Sequence, residues 1–260
     1  MRTIVIMNNK GGVGKTVTAI NLADLLHRAG KTVLLVDCDG QMSATRFFFP
    51  DLDPDNTLTL ADVLCNTHEP AWYENTVPIH VRWHLLPASS ALYSLDVAAI
   101  KGDAPVLGNL RDFCEVAAED GVDYTIIDCP PGFTVATTAA LIAADEVVIP
   151  MLIDGFSFWG MEDMRRCISD IRSINPRIKI AGVLVCQWHN APVITEGETL
   201  LRSLGVPVFN TVIRRTDKMP ESTLQREAIC TYSPRSAAGI DYRAFVQEYL
   251  HEEVKSNAEV

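Results

Sequence analysis

Near its start the chain reads Thr3-Ile4-Val5-Ile6-Met7, and three residues later Lys10-Gly11-Gly12-Val13-Gly14-Lys15-Thr16. Few short stretches constrain a fold as tightly. A strand-like apolar run, a glycine-rich turn and then helical periodicity form the layout of a phosphate-binding loop. Gly11, Gly12 and Gly14 let backbone N–H groups converge on an anion with no Cβ in the way. A helix starting near Gly14 turns its positive end on the same point. Lys15 would place a point charge on the β- and γ-phosphates, and the Thr16 hydroxyl would ligate Mg²⁺.

The rest of the chain alternates in the way such a loop requires. Val17 to Ala29 reads as a helix closed by Gly30. Thr32 to Val36 is an uninterrupted apolar run, the mark of a strand buried on both faces, and it runs into Asp37 and Asp39. Carboxylates just past a strand's C-terminal end stand where open α/β sheets bind ligands. After a loop rich in Asp, Asn and Pro come a short helix at Leu60 to Leu64 and an alternating strand from His80 to Leu86. His80 and His84 are four apart, but on a strand that spacing gives only a shared face, and no third ligand lies near. A helix from about Leu107 to Ala118 leads into the strand Val122 to Asp128. Asp128 at that strand's end is placed as a Walker B carboxylate, with Pro130, Pro131 and Gly132 opening a loop able to sense a γ-phosphate.

Beyond it the spacing predicts helices at Thr137–Ala144, Phe158–Ile174 and Pro192–Leu204, with strands at Glu146–Pro150 and Ile178–Cys186. One or two short strands follow in Val206–Val212, then helices near 221–229 and 236–251. This predicts one α/β domain over residues 1–260, a mostly parallel twisted sheet with helices on both faces, and a disordered tail from about 252. Seven scattered cysteines without a Cys-x-x-Cys pair argue for reduced thiols in a cytoplasmic protein and against a zinc or iron–sulfur site. No window approaches the roughly 18 apolar residues of a membrane helix, and the first residues lack a signal-peptide layout. The net charge of −11 disfavours general attraction to nucleic acid.

Lys10-Gly11-Gly12-Val13-Gly14-Lys15-Thr16 resembles the deviant Walker A motif of the ParA/MinD family of P-loop ATPases, in which the early lysine is the signature. Leu35 to Thr45 is similar to that family's first switch, with Gly40 in place of Pro and Met42 and Ser43 in place of Gly and Asn. Tyr124 to Pro131 resembles its second switch, and Tyr232 to Ser236 a motif near its C-terminus. The likeness is strongest to the ParA/Soj partition proteins. It implies a P-loop NTPase fold, ATP and ADP as ligands with Mg²⁺, and slow hydrolysis of ATP to ADP and phosphate. The glycines, Val13, Lys15, Thr16 and Pro130 would contact the nucleotide. Thr16, Asp128 and Asp37 would form the metal shell, and Asp39 would orient the attacking water. Lys10 would reach the phosphates bound by the other subunit of an ATP-induced sandwich homodimer. That dimer would bind DNA without sequence preference, associate with the nucleoid, and be released by a ParB-like activator.

One region departs from the family pattern. Ile213 to Ser222 replaces the segment that helps hold the base, leaving the adenine contacts open. Residues 202 to 235 hold six basic residues (Arg202, Arg214, Arg215, Lys218, Arg226, Arg235) against three acidic ones (Asp217, Glu221, Glu227). Arg214, Arg215 and Lys218 are the candidate DNA contacts, although a solvated helix face would give a similar count. Met1 stands next to the first strand, which leaves no room for a helix-turn-helix ahead of it. A MinD-like regulator acting at a membrane or on a protein partner is the alternative. The short acidic tail from His251 argues against stable membrane association. A metabolic P-loop ligase or kinase would need a substrate pocket that no motif signals. A reductase with a shared iron–sulfur cluster would need more than Cys129.

Overall fold

The computed structural model describes residues 1–66 and 72–258, with residues 252–258 by backbone alone. Seven strands form one sheet: β1 (Arg2–Ile6), β2 (Val33–Asp37), β3 (Val77–His80), β4 (Trp83–Leu86), β5 (Tyr124–Asp128), β6 (Glu146–Met151) and β7 (Lys179–Val185). Their order is β3-β4-β2-β5-β1-β6-β7, and every pairing is parallel except β3 with β4. β1, β2 and β5 are mostly apolar along their length because both faces are covered, and β2 and β5 each end in an aspartate. Val5, Leu34, Val36 and Ile127 pack into one core, and Ile4, Ile6, Leu35 and Ile126 into the other.

The helices divide between those faces. On the first lie α3 (Leu60–Cys65), α4 (Ala91–Ile100), α5 (Asn109–Glu119), α6 (Val135–Ala143) and α7 (Gly155–Ile171), and α8 (Pro192–Ser203) adds Leu201. On the second lie α1 (Lys15–Arg28), α10 (Ile229–Tyr232) and α11 (Ala237–Ala258), with α2 (Ser43–Phe48) and α9 (Lys218–Gln225) at its margin. The predicted α/β architecture is therefore the observed one. No helix among the described residues is long and apolar enough to cross a membrane.

Three details differ from expectation. The run His80–Leu86 is not one strand. Arg82 adopts a left-handed conformation (φ 66°), so the chain turns back and pairs β3 against β4. The two histidines thereby separate: His80 stacks on His27, whereas His84 is buried with its Nδ1 3.1 Å from the Thr76 hydroxyl. Val206–Val212 makes only an isolated bridge, Val208 with Val183, in place of strands. Helix α11 runs with helical backbone through Ala258. No glycine or proline follows Gly239 to stop it, and residues 259–260 lie outside the described ones.

Candidate nucleotide-binding site

Three adjacent parallel strands set the site. Ile6 of β1 and Asp37 of β2 both pair with Asp128 of β5, so the loops leaving these strands begin level with one another. Between them opens a cleft of about 670 Å³, within the usual size of a ligand pocket. Its floor is Gly11 to Val17. One wall carries Asp39, Gln41, Ser43, Cys129 and Pro131, and the other carries Gln187, Ile213 to Asp217, Met219 and Pro220.

In the floor, Gly12 (φ 73°) and Gly14 (φ 97°) take the left-handed backbone that side chains disfavour. A Cβ on Gly12 would meet nothing within 4 Å, so conformation rather than crowding demands glycine there. Gly14 directly precedes α1, whose first N–H groups therefore face the cleft. Lys15 is mostly buried and its Nζ donates to the Lys10 carbonyl at 2.9 Å, folding the side chain back over the loop. Burial lowers its pKa, and the nearby Asp128 carboxylate opposes that shift.

Asp128 is buried, and neither of its oxygens accepts a well-formed hydrogen bond. Burial, then the Asp37 charge, raises its pKa well above the carboxylate range, while the Thr16 hydroxyl and the Lys15 ammonium favour the ionised form. An unpartnered buried carboxylate is costly. A divalent cation between Asp128, Thr16 and phosphate oxygens would relieve it, so these residues fit Mg²⁺. Among the described residues no three His, Cys, Asp or Glu side chains group as a metal site. The cation would take its remaining ligands from phosphate and water, as Mg²⁺ commonly does.

Asp37, expected in the metal shell, is fully buried and both of its oxygens are engaged within the protein: Oδ1 accepts from the Asp39 N–H at 3.1 Å, and Oδ2 from the Thr45 N–H and hydroxyl, both at 2.8 Å. It clamps the two ends of the loop after β2. Burial pushes its pKa up to about 6 against these three hydrogen bonds. Asp39 stands in the cleft wall, where its Oδ1 accepts from the Gln41 N–H at 2.9 Å. Gly40 beside it meets the ring of Tyr93, and a Cβ there would come within 2.7 Å of Tyr93 Cζ. The departure from Pro at position 40 thus has a structural counterpart. Pro130 is buried, and Cys129 and Pro131 form the wall instead.

Lys10 turns away from its own loop to form an ion pair with Asp154. Asp154 is also the N-cap of α7, accepting from the Ser157 N–H at 3.0 Å. The Lys10 N–H donates to Asn8 Oδ1 at 2.9 Å, and Asn8 is itself tied to the Pro150 carbonyl at 2.7 Å. Of the candidate DNA contacts, Arg214 is held by Asp241 through its guanidinium and its backbone N–H, at 2.6–3.1 Å. Lys218 pairs with Glu221 at 2.6 Å. Arg215 is exposed and its side chain has no ion pair among the described residues. The local positive excess is smaller than the count over 202–235 implies, because Asp241 and Glu198 reach Arg214 and Arg202 from outside that window.

Sequence reasoning missed Asp154, Thr45 and Gln187, whose Nε2 donates to the Gly12 carbonyl at 3.2 Å. Asp154 could have been found as an Asp just before a helical run. Thr45 closes the stretch that resembles the first switch, but nothing local marks its bond to Asp37, and Gln187 has no local signature.

The chain is similar to known proteins over most of its length. A family model described as an AAA domain matches residues 1–180. The chromosome-partitioning ATPase Soj of Thermus thermophilus is 32% identical over 253 residues, covering 96% of both chains. The chromosome partitioning protein ParA of Caulobacter vibrioides is 30% identical over 97% of this chain and 95% of its own. A crystal structure titled cobyrinic acid a,c-diamide synthase, from Mycobacterium smegmatis with bound ADP and magnesium, superposes with a TM-score of 0.78 at 28% identity. It covers 95% of this chain and 93% of its own.

Proposed function

Since the chain belongs to the AAA-domain family of ParA/MinD-type P-loop ATPases, we propose that it is a DNA-partition ATPase that hydrolyses ATP with Mg²⁺. The carrying observation is the unpartnered Asp128 carboxylate facing Lys15 and Thr16 at the mouth of the P-loop. Backbone N–H groups from Gly11 to Thr16 would cradle the phosphates, and Lys15 would leave the Lys10 carbonyl for their oxygens. Thr16 and Asp128 would hold Mg²⁺, which when bound neutralises charge on the β- and γ-phosphates. Asp39 would orient a water whose oxygen bonds to the γ-phosphorus as the bond to the bridging oxygen breaks, leaving ADP and inorganic phosphate.

Lys10 gives the switch its second half. Its own phosphate loop already has Lys15, and Lys10 points to Asp154 at the subunit's edge. A charge held there serves a nucleotide on a second copy of the chain, so ATP closes a sandwich dimer and hydrolysis depends on it. The ATP dimer would bind DNA without sequence preference and be released by a ParB-like activator, working in the cytoplasm and on the nucleoid. Arg215 is the most available of the three candidate DNA cations.

Sedimentation with Mg²⁺-ATP tests this reading. The wild type should pass from monomer to dimer with ATP and not with ADP. Lys10→Ala should bind nucleotide with similar affinity yet stay monomeric, and equal dimerisation of the two would remove the trans role of Lys10.

A further inference from the structure

Helix α4 touches both loops that border the candidate phosphate site. Tyr93 in its first turn lays the tip of its ring over Gly40, so closely that a Cβ there would meet Cζ, Cε2 and Cε1 at 2.7–3.0 Å. Gly40 is flanked by Asp39 and Gln41, whose backbone is folded by the Gln41 N–H to Asp39 Oδ1 bond and the Met42 N–H to Asp39 carbonyl bond of 2.7 Å. Three residues on, Asp96 Oδ1 accepts the Val135 N–H at 2.8 Å. Val135 opens α6 at the exit of the loop that follows Asp128, and an acid beside a helix N-terminus is well placed. Positions three apart lie on one helix face, so both contacts belong to one side of α4.

The root of α4 is fastened to the same machinery. The Ala88 N–H donates at 3.0 Å to the Thr45 hydroxyl, which in turn donates to Asp37. Ser89 and Thr59 hydroxyls lie 3.1 Å apart, and the Pro87 carbonyl accepts from the Leu60 N–H at 2.8 Å.

We propose that α4 is a strut coupling the Asp39 loop to the loop after β5, with Tyr93 and Asp96 as positioning residues. A displacement of one loop moves the helix and hence the other, so the water-orienting carboxylate and the residues beside Asp128 take up their places together. The kinetic consequence rests on the ATPase reading above, whereas the mechanical coupling does not. A loop misplaced by about an ångström is enough to slow a positioned reaction severely.

Two measurements on the full chain test the strut. In nucleotide-free protein, hydrogen exchange is followed at the amides of Gln41 and Met42 and at those of Val135, Thr137 and Thr138. Asp96→Ala should speed exchange at both groups of amides, and so should Tyr93→Ala. Exchange that rises only beside the altered residue overturns the coupling. In phosphate-release assays each of these variants should lose about three- to tenfold in kcat with KM within about twofold. The double variant should be no slower than the slower single one, and Tyr93→Phe and Asp96→Asn should stay near wild type because the ring and the acceptor oxygen remain. Losses that multiply in the double variant also overturn it. A wild type that releases no phosphate would sink the ATPase reading and leave the exchange measurement to decide on the strut.

Discussion

Asp37 and Asp128 are register partners at the ends of neighbouring strands, yet their surroundings separate them. Asp37 accepts three well-formed hydrogen bonds whereas Asp128, among the described residues, has only the weaker help of the Thr16 hydroxyl and the Lys15 ammonium, so Asp128 carries the larger burden of a buried charge. The unfolded chain would ionise Asp128 near 3.8, whereas the folded chain resists until a higher pH. The penalty is therefore absent in acid and grows as pH rises from about 4 toward the raised value. In nucleotide-free protein, Asp128→Asn should match wild-type stability near pH 4 and exceed it by about 1–3 kcal/mol at neutral pH, read from urea unfolding. A gap that does not change with pH would contradict the assignment. Asp39 lies on the cleft wall. Asp39→Ala should bind ATP normally and release phosphate at least about 100-fold more slowly, the order expected for losing a positioned proton acceptor. Normal turnover would remove its water-orienting role.

Among the elements, α7 ties the signature lysine to the fold. Its N-cap Asp154 holds both the Ser157 N–H and the Lys10 ammonium, so releasing Lys10 for a second subunit breaks an ion pair about one-third exposed. Pairs of that exposure are worth roughly 0.2–1 kcal/mol. Asp154→Asn retains a capping oxygen and discards the charge. It should shift ATP-driven dimerisation to roughly two- to fivefold lower protein concentration, measured by sedimentation, and an unchanged midpoint would show that the pair does not restrain Lys10.

The same scale shows what the sequence could reveal. β1, β2 and β5 were legible as the continuous apolar runs that burial on both sheet faces dictates, α1 by its helical period, and the glycines between β1 and α1 have one physical use. The β3–β4 turn was hidden because a left-handed Arg82 has no composition cue. Tyr93 over Gly40, Asp96 on Val135 and Asp241 on Arg214 join residues 27 to 53 positions apart, and no local pattern records such meetings. The partners of Asp37 were hidden for a related reason. A strand-terminal carboxylate looks the same in sequence whether it faces a metal or, as here, Thr45.

For the whole molecule, charge is the sharpest test of the partition account. A chain of net −11 can bind duplex DNA only by assembling a local cationic face, and among the described residues Arg215 has no ion pair while Asp241 and Glu221 occupy Arg214 and Lys218. A dimer would double whatever cations each copy presents, which is how nucleotide state would control DNA affinity. The most direct measurement is binding to a random-sequence duplex with ADP and with ATP, at about 50 and 200 mM salt. Binding with ATP alone, weakened roughly 10- to 100-fold by the added salt as for two to four phosphate contacts, is the predicted result. ATP-dependent dimers that bind no duplex at either salt concentration would contradict the account and leave a switch acting on a protein or membrane partner.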